Sequence, residues 1–311
     1  MNSKYIIASF LLFSICVSCA QKLDNNTSLL VVQSVGGEGL LFGQKKSYIV
    51  NEDGQNKRYY FPQSIPLESC PEWSPDGNWI AYKGANKNPK SSSDNDIYAM
   101  SVSGDKNIRL TDNVDYFRNN IGCPTWSPDR NTIAFDALVA EWQHGIYLKS
   151  VSCIFQDKEC SLNAQFLILG SSPNWSPDGQ RIVFDSPNGI AILDLKNPEN
   201  TIVISDYGNL PKWSPDGTKI TFFSEGSIYL IDATGTGLKY LVPGNNPIWS
   251  PDGNEIIFIG NKANDPNLGV RIDIEGMFPS TAVFSINVDG TNLHRLTKSN
   301  KEVVFWITWM K

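Results

Sequence analysis

Five copies of Trp-Ser-Pro-Asp, beginning at Trp73, Trp126, Trp175, Trp213 and Trp249, constrain this chain more than any other feature. Gly follows in four of them, as Gly77, Gly179, Gly217 and Gly253, whereas the second has Arg130. The intervals between the tryptophans are 53, 49, 38 and 36 residues, and the shorter ones match the length of a four-stranded propeller blade. Each motif is followed by a short apolar strand such as Ile182-Val183-Phe184, then a second such as Ile190 to Leu193, then an outer one such as Thr201 to Ile204. Helical periodicity is almost absent. Pro presets φ for a turn, Asp bonds its own nearby backbone and Gly accepts positive φ, so Ser-Pro-Asp-Gly reads as a tight hairpin turn, with Arg130 costing some turn stability. The preceding Trp is large enough to fill the wedge between blades, and truncating a buried one to Ala costs about 3–5 kcal/mol. These tryptophans and turn aspartates are therefore structural.

Five motifs leave a ring open. The C-terminal run Val303 to Trp309 places Trp309 where a sixth repeat Trp would fall, and Leu29 to Val32, Gly39 to Phe42, Tyr48 to Asn51 and Arg58 to Phe61 supply further strands. The expectation is an all-β, six-bladed propeller of four-stranded antiparallel blades over residues 29–311, its last blade closed by both chain termini, which hides sheet edges.

The formal charge of -6 and the lack of a Lys/Arg block exclude nucleic acid as the expected partner. Residues 1–20 read as an export signal, with Lys4 before the apolar run Tyr5 to Val17, which is shorter than the roughly 20 residues of a membrane span. Two cleavage readings stand. Cys16-Val17-Ser18-Cys19 resembles a lipobox that would make Cys19 the lipidated first residue, although Cys16 stands where Leu is usual, and cleavage after Ala20 is the alternative. The expected location is the periplasm or cell surface, with membrane contact only through such an anchor. Export permits disulfides. Cys153 and Cys160 bracket a short polar segment, as a cross-strand bridge near a hairpin tip would. Cys70 and Cys123, both in Cys-Pro-x-Trp, are expected to be buried thiols, because equivalent positions in neighbouring repeats need not meet the Cα limit of about 7 Å. No CxxC pair or adjacent His accompanies them, so no zinc, other metal or cofactor is expected.

The repeats, together with Asp289-Gly290-Thr291-Asn292-Leu293-His294-Arg295-Leu296-Thr297, resemble the TolB-type, or Pro-Asp, propeller family over roughly residues 29–311. In that family's type member an α/β domain precedes the blades, whereas here strands follow the leader within about ten residues. The resemblance implies a propeller and a habit of binding proteins in the bacterial envelope. Related propellers adjoin serine hydrolase domains, but the sequence has no G-x-S-x-G elbow. Pectin-degrading lyases resembling the same repeat family use several His around a metal, and this chain has two, His144 and His294.

Loops after the second and fourth strands of a blade emerge opposite the Ser-Pro-Asp-Gly turns. The long insertions, 84–95, 112–122, 136–144 and 260–281, fall there, where binding on a rigid scaffold usually resides. Tyr116, Phe117, Arg118, Trp142, His144, Arg271 and Phe278 are the candidate partner contacts. Glu72, Thr125, Asn174, Lys212 and Ile248, each between Pro and a repeat Trp, are expected around the ring entrance. The sequence thus points to a monomeric, non-enzymatic binding scaffold for a protein or peptide, with a metal-dependent, carbohydrate-polymer lyase as the alternative.

Overall fold

Each Trp-Ser-Pro-Asp turn is closed by one recurring hydrogen-bond pattern. In the fourth copy the Gly217 amide donates to the Ser214 carbonyl at 2.9 Å, which closes the turn. The Ser214 hydroxyl donates to Asp216 Oδ1 at 2.5 Å and accepts from the Lys219 amide at 2.9 Å, while Thr218 N–H donates to the same carboxylate oxygen at 3.0 Å. The other four copies repeat this arrangement. The Ser214 hydroxyl and the Thr218 amide hold the Asp216 carboxyl below the usual carboxylate range, and Asp129, Asp178 and Asp252 are lowered in the same way. Ser and Asp of the motif are therefore used up in building hairpins.

The computed structural model describes residues 29–36, 45–51, 58–59, 69–85, 95–111, 121–140, 143–156, 158–261, 281–297 and 302–310. The expected leader and Cys19 lie outside them. Three strands open the chain: β1 (Leu29–Gly36), β2 (Lys45–Asn51) and β3 (Arg58–Tyr59). The first blade is β4 (Ser69–Trp73), β5 (Trp79–Ala85), β6 (Asn95–Ser101) and β7 (Asn107–Arg109). The second is β8 (Thr125–Trp126), β9 (Thr132–Ala140), β10 (Gln143–Ser150) and, after the short helix α1 (Ser152–Phe155), β11 (Gln165–Leu169). The third is β12 (Ser171–Trp175), β13 (Arg181–Ser186), β14 (Gly189–Asp194) and β15 (Ile202–Ser205). The fourth is β16 (Asn209–Trp213), β17 (Lys219–Ser224), β18 (Ser227–Asp232) and β19 (Lys239–Pro243). The fifth is β20 (Asn245–Trp249), β21 (Glu255–Asn261), β22 (Thr281–Asn287) and β23 (His294–Arg295), after which β24 (Glu302–Met310) ends the chain.

Among the described residues, five self-contained blades of consecutive strands each carry one Trp-Ser-Pro-Asp turn, so the expected count of six is corrected to five blades of that kind. The remaining four-stranded sheet is a composite in the order β24-β1-β2-β3, with β24 antiparallel to β1 from Leu29↔Met310 to Gly36↔Glu302. It has no motif turn of its own, because its innermost strand and its other three strands come from opposite ends of the chain. β24 packs against β20 and β22 of the fifth blade and against β4 of the first, so it bridges the two.

Aromatic residues opposite one another on the second and third strands fill four of the five blades, the third setting Phe184 against Ala191 instead. Tyr82 stacks on Tyr98, Phe135 on Tyr147, Phe222 on Tyr229 and Phe258 on Phe284, with centroids 5.5–5.7 Å apart. Trp126, Trp175, Trp213 and Trp249 each join a cluster shared with the preceding blade, and Trp309 packs on the cluster between the fifth blade and β24. Trp126, Trp175 and Trp249 also donate their indole N–H to a carbonyl of the preceding inner strand, at 3.1, 3.3 and 3.1 Å. Trp309 does the same to the Trp249 carbonyl at 2.6 Å.

The seam between the first and second blades departs from two expectations. Cys70 and Cys123 form a disulfide with Cα atoms 5.4 Å apart, not a pair of thiols. Inner strands are the narrow ends of wedge-shaped blades, so equivalent positions on neighbouring blades converge there. Arg130, at φ 60° in a place that suits Gly, is compensated across the same seam: its guanidinium pairs with Asp76 and lies 4.7 Å from the Phe155 ring centroid. The second disulfide, Cys153–Cys160, staples α1 to the segment after it and does not join two strands.

Two predictions follow from this seam. Replacing Cys70 and Cys123 by Ser should cost about 4 kcal/mol on the chain-entropy relation, against about 2.5 kcal/mol for the Cys153–Cys160 pair, read by chemical denaturation. Arg130→Gly should stay within about 1 kcal/mol of the parent, since relief of the left-handed backbone offsets the lost contacts, whereas Arg130→Ala should cost about 1–2 kcal/mol. A thermal melt that ranks these two variants the other way would refute this compensation.

Candidate functional site

The inner strands enclose a central channel with a cavity of about 400 Å³ at the turn-bearing end, walled by the repeat Trp and motif Pro residues. Glu72, Thr125, Asn174, Lys212 and Ile248 all line it. Two of them also join blades: Glu72 Oε1 accepts from the Thr125 hydroxyl at 2.9 Å and the Trp126 amide at 3.1 Å, and Asn174 Oδ1 accepts from the Trp213 amide at 2.9 Å. The channel wall is therefore partly polar and partly committed to holding the ring.

The opposite, loop-bearing end is set by a repeated backbone irregularity. Cys70, Ser172, Leu210 and Asn246 occupy the same place, three residues before the repeat Trp and directly before Pro, and have φ of 56°, 52°, 54° and 48°. Each inner strand is bulged there against its neighbour. Gly208, two residues before Leu210, is needed for close approach, because a Cβ there would lie 2.4 Å from the Phe222 ring.

In two seams a carboxylate from the preceding blade faces this bulge. Asp136, on β9, accepts the Ser172 amide of the third blade at 3.0 Å through Oδ1. Its Oδ2 lies 2.7 Å from His144 Nδ1 on β10. The Asp136 side chain is 7% exposed and that of His144 25%, so the pair is only partly shielded from water. The Asp136 hydrogen bond raises the His144 pKa above the ordinary imidazole value, against partial desolvation and the nearby Lys83 charge.

Asp185, on β13, occupies the equivalent place one blade further on. The Ser171 hydroxyl reaches its Oδ2 at 3.4 Å, and its Oδ1 is buried without a hydrogen-bond partner. Burial pushes this carboxyl up to about 7; the Ser172 hydroxyl and the Leu210 amide partly offset that, and Asp136 adds to it. The serines here turn toward carboxylates, which is the pattern of a cross-blade tie and not of a nucleophile held by a base.

Of the partner residues expected from the sequence, the structure describes His144; Tyr116, Phe117, Arg118, Trp142, Arg271 and Phe278 lie outside the described residues. His294 is half-buried, with Nδ1 2.9 Å from the Asn292 carbonyl, and takes no part in this cluster. Sequence reasoning passed over Asp136 and Asp185. The available signal was the pair Phe135-Asp136 and Phe184-Asp185 in equivalent places, where the other repeats have Lys83, Phe223 and Ile259. Among the described residues no group of three or more His, Cys, Asp and Glu side chains could hold a metal ion, and no helix is long and apolar enough to cross a membrane.

The raised His144 pKa implies stabilisation that is complete below the ordinary value of 6.5 and is lost as pH rises through the folded value. An NMR titration should place His144 above 6.5, and Asp136→Asn should bring it down; an unchanged titration in the variant would show that Asp136 is not the cause.

The family model for the TolB beta propeller domain matches residues 117–277. The Tol-Pal system protein TolB of Alcanivorax borkumensis is 34% identical over 59 residues, which are 19% of this chain and 13% of that protein. TolB from Acinetobacter baumannii superposes with a TM-score of 0.68 at 18% identity, covering 90% of this chain and 66% of that one. Oligogalacturonate lyase from Vibrio parahaemolyticus superposes with a TM-score of 0.54 at 12% identity, covering 86% and 79%. At such identities both superpositions speak for fold alone. The family match spans more than half of the 311 residues, and the chain belongs to the TolB beta propeller domain family.

Proposed function

We propose that this protein is an exported, non-enzymatic propeller that binds a segment of an envelope protein through its channel and loop-bearing end. The observation that carries this reading is the allocation of its reactive-looking groups. In all five turns the Ser–Asp pair is bonded within its own hairpin, and Asp136 ties β9 to β12. What remains is a rigid channel walled by Trp and Pro with a few polar groups, which suits recognition. The likeness to a Tol-Pal system protein supports an envelope setting. Processing at Cys19, giving a lipid-tethered monomer in the periplasm or at the cell surface, fits the leader.

The test is capture of partners from an envelope extract with the leaderless chain, beside a variant carrying Ala at Tyr116, Phe117, Arg118 and Trp142. A partner held by the parent and lost by an equally stable variant is the expected result. Equal retention by both would remove the insertion loops from the site. The likeness to oligogalacturonate lyase keeps polymer cleavage as the second reading, and unsaturated products released from a uronate polymer would replace the binding reading with it.

A further inference from the structure

We propose that Asp136, His144 and Asp185 form a proton-operated latch between the second, third and fourth blades, firmest in acid and loosened progressively as the pH rises to and past neutrality. The latch lies at the loop-bearing end of three consecutive blades. Asp136 holds the Ser172 amide at 3.0 Å and His144 at 2.7 Å, so one carboxylate joins β10 and β12 to β9. Asp185 faces the next bulge, at Leu210, from a partly buried position in which one carboxyl oxygen is enclosed without a partner.

Among the described residues, the charged groups acting on the latch are few. Lys83 on β5 and Asp136 on β9 act on His144. Asp185 is acted on by Asp136, with the Ser171 and Ser172 hydroxyls and the Leu210 amide as its other neighbours. Both titrations work in one direction. As pH rises, His144 gives up the proton that makes it a cationic partner for Asp136. Asp185 becomes a second anion beside Asp136 with one oxygen enclosed, and hydrating that oxygen draws water toward the boundary of the third and fourth blades. With folded values above the ordinary ones, stabilisation is complete below the unfolded pKa and lost through the folded pKa, a window from 3.8 to about 7 for Asp185. For His144 the loss begins above 6.5.

The neighbouring seam supplies an internal control. Between the fourth and fifth blades Phe223 replaces the aspartate and Asn246 occupies the bulge, so the two equivalent positions carry no titratable side chain. The test is amide hydrogen exchange of the intact chain at about pH 5.5 and about pH 8.5, after correction for intrinsic rates. Segments containing Ser172 and Leu210 should lose about tenfold more protection on alkalinisation than the segment containing Asn246. Asp185→Asn should abolish the excess at Leu210 and His144→Gln should reduce it at Ser172. An equal response in all three segments, or an excess at Leu210 that persists in Asp185→Asn, would overturn the latch. Should Asp185→Asn fail to fold, the Ser172 response of His144→Gln decides the matter.

Discussion

The ring depends on one recurring contact: an inner-strand Trp set into the seam with the preceding blade. Trp126, Trp175, Trp213 and Trp249 are each at least nine-tenths buried, and removing such a side chain would leave a cavity that a packed β wedge has little freedom to collapse into. The turn after each Trp aims it. The Ser hydroxyl accepts the amide returning from the next strand and donates its own hydrogen bond to the Asp carboxylate, so the Trp leaves its strand at a fixed angle. Indole donation to the preceding inner strand then adds direction to a contact that apolar burial alone would leave loose.

Near-identical motifs do not produce identical seams. The first-to-second seam carries a disulfide and the Arg130–Asp76 pair, both absent from the corresponding third-to-fourth positions, where Ser172 and Leu210 occupy the bulges and Gly217 the turn, while the Glu72 bond to the Trp126 amide has its counterpart there between Asn174 and Trp213. The second-to-third and third-to-fourth seams instead use carboxylates against backbone amides. The fifth-to-composite seam is built from Ile257, Ile259, Val283, Val304 and Ile307, an apolar contact joining the end of the chain to the fifth blade. The blade boundaries are thus closed by more than one kind of chemistry on a common backbone.

That division bears on function. The disulfide and the β24–β1 pairing tie the ring at its first-to-second seam and at its chain ends, while the two carboxylate seams carry the titratable groups of the proposed latch. A largely enclosed carboxyl at about 7 is costly as a purely structural element, and its place at the loop-bearing end is what the proposed latch rests on.

Much of this architecture was legible from the residues. Five Trp-Ser-Pro-Asp motifs determined the repeating hairpins, the inner position of each Trp and the need for strands from both chain ends, because turn chemistry and apolar alternation are local properties. What only tertiary structure decided lies across the seams. Cys70 and Cys123 are 53 residues apart in sequence, and nothing local says that inner strands converge enough to bring their Cα atoms to 5.4 Å. Arg130 reads locally as a defective turn and is compensated by Asp76 and Phe155, which the ring supplies. Asp136, in sequence only the first residue of an insertion, and Asp185, unremarkable in sequence, gain their pairing because the next blade's bulge is set against them. Sequence fixes a group's identity and local backbone; burial, pairing and pKa depend on what the neighbouring blade places against it, and that is set only when the ring closes.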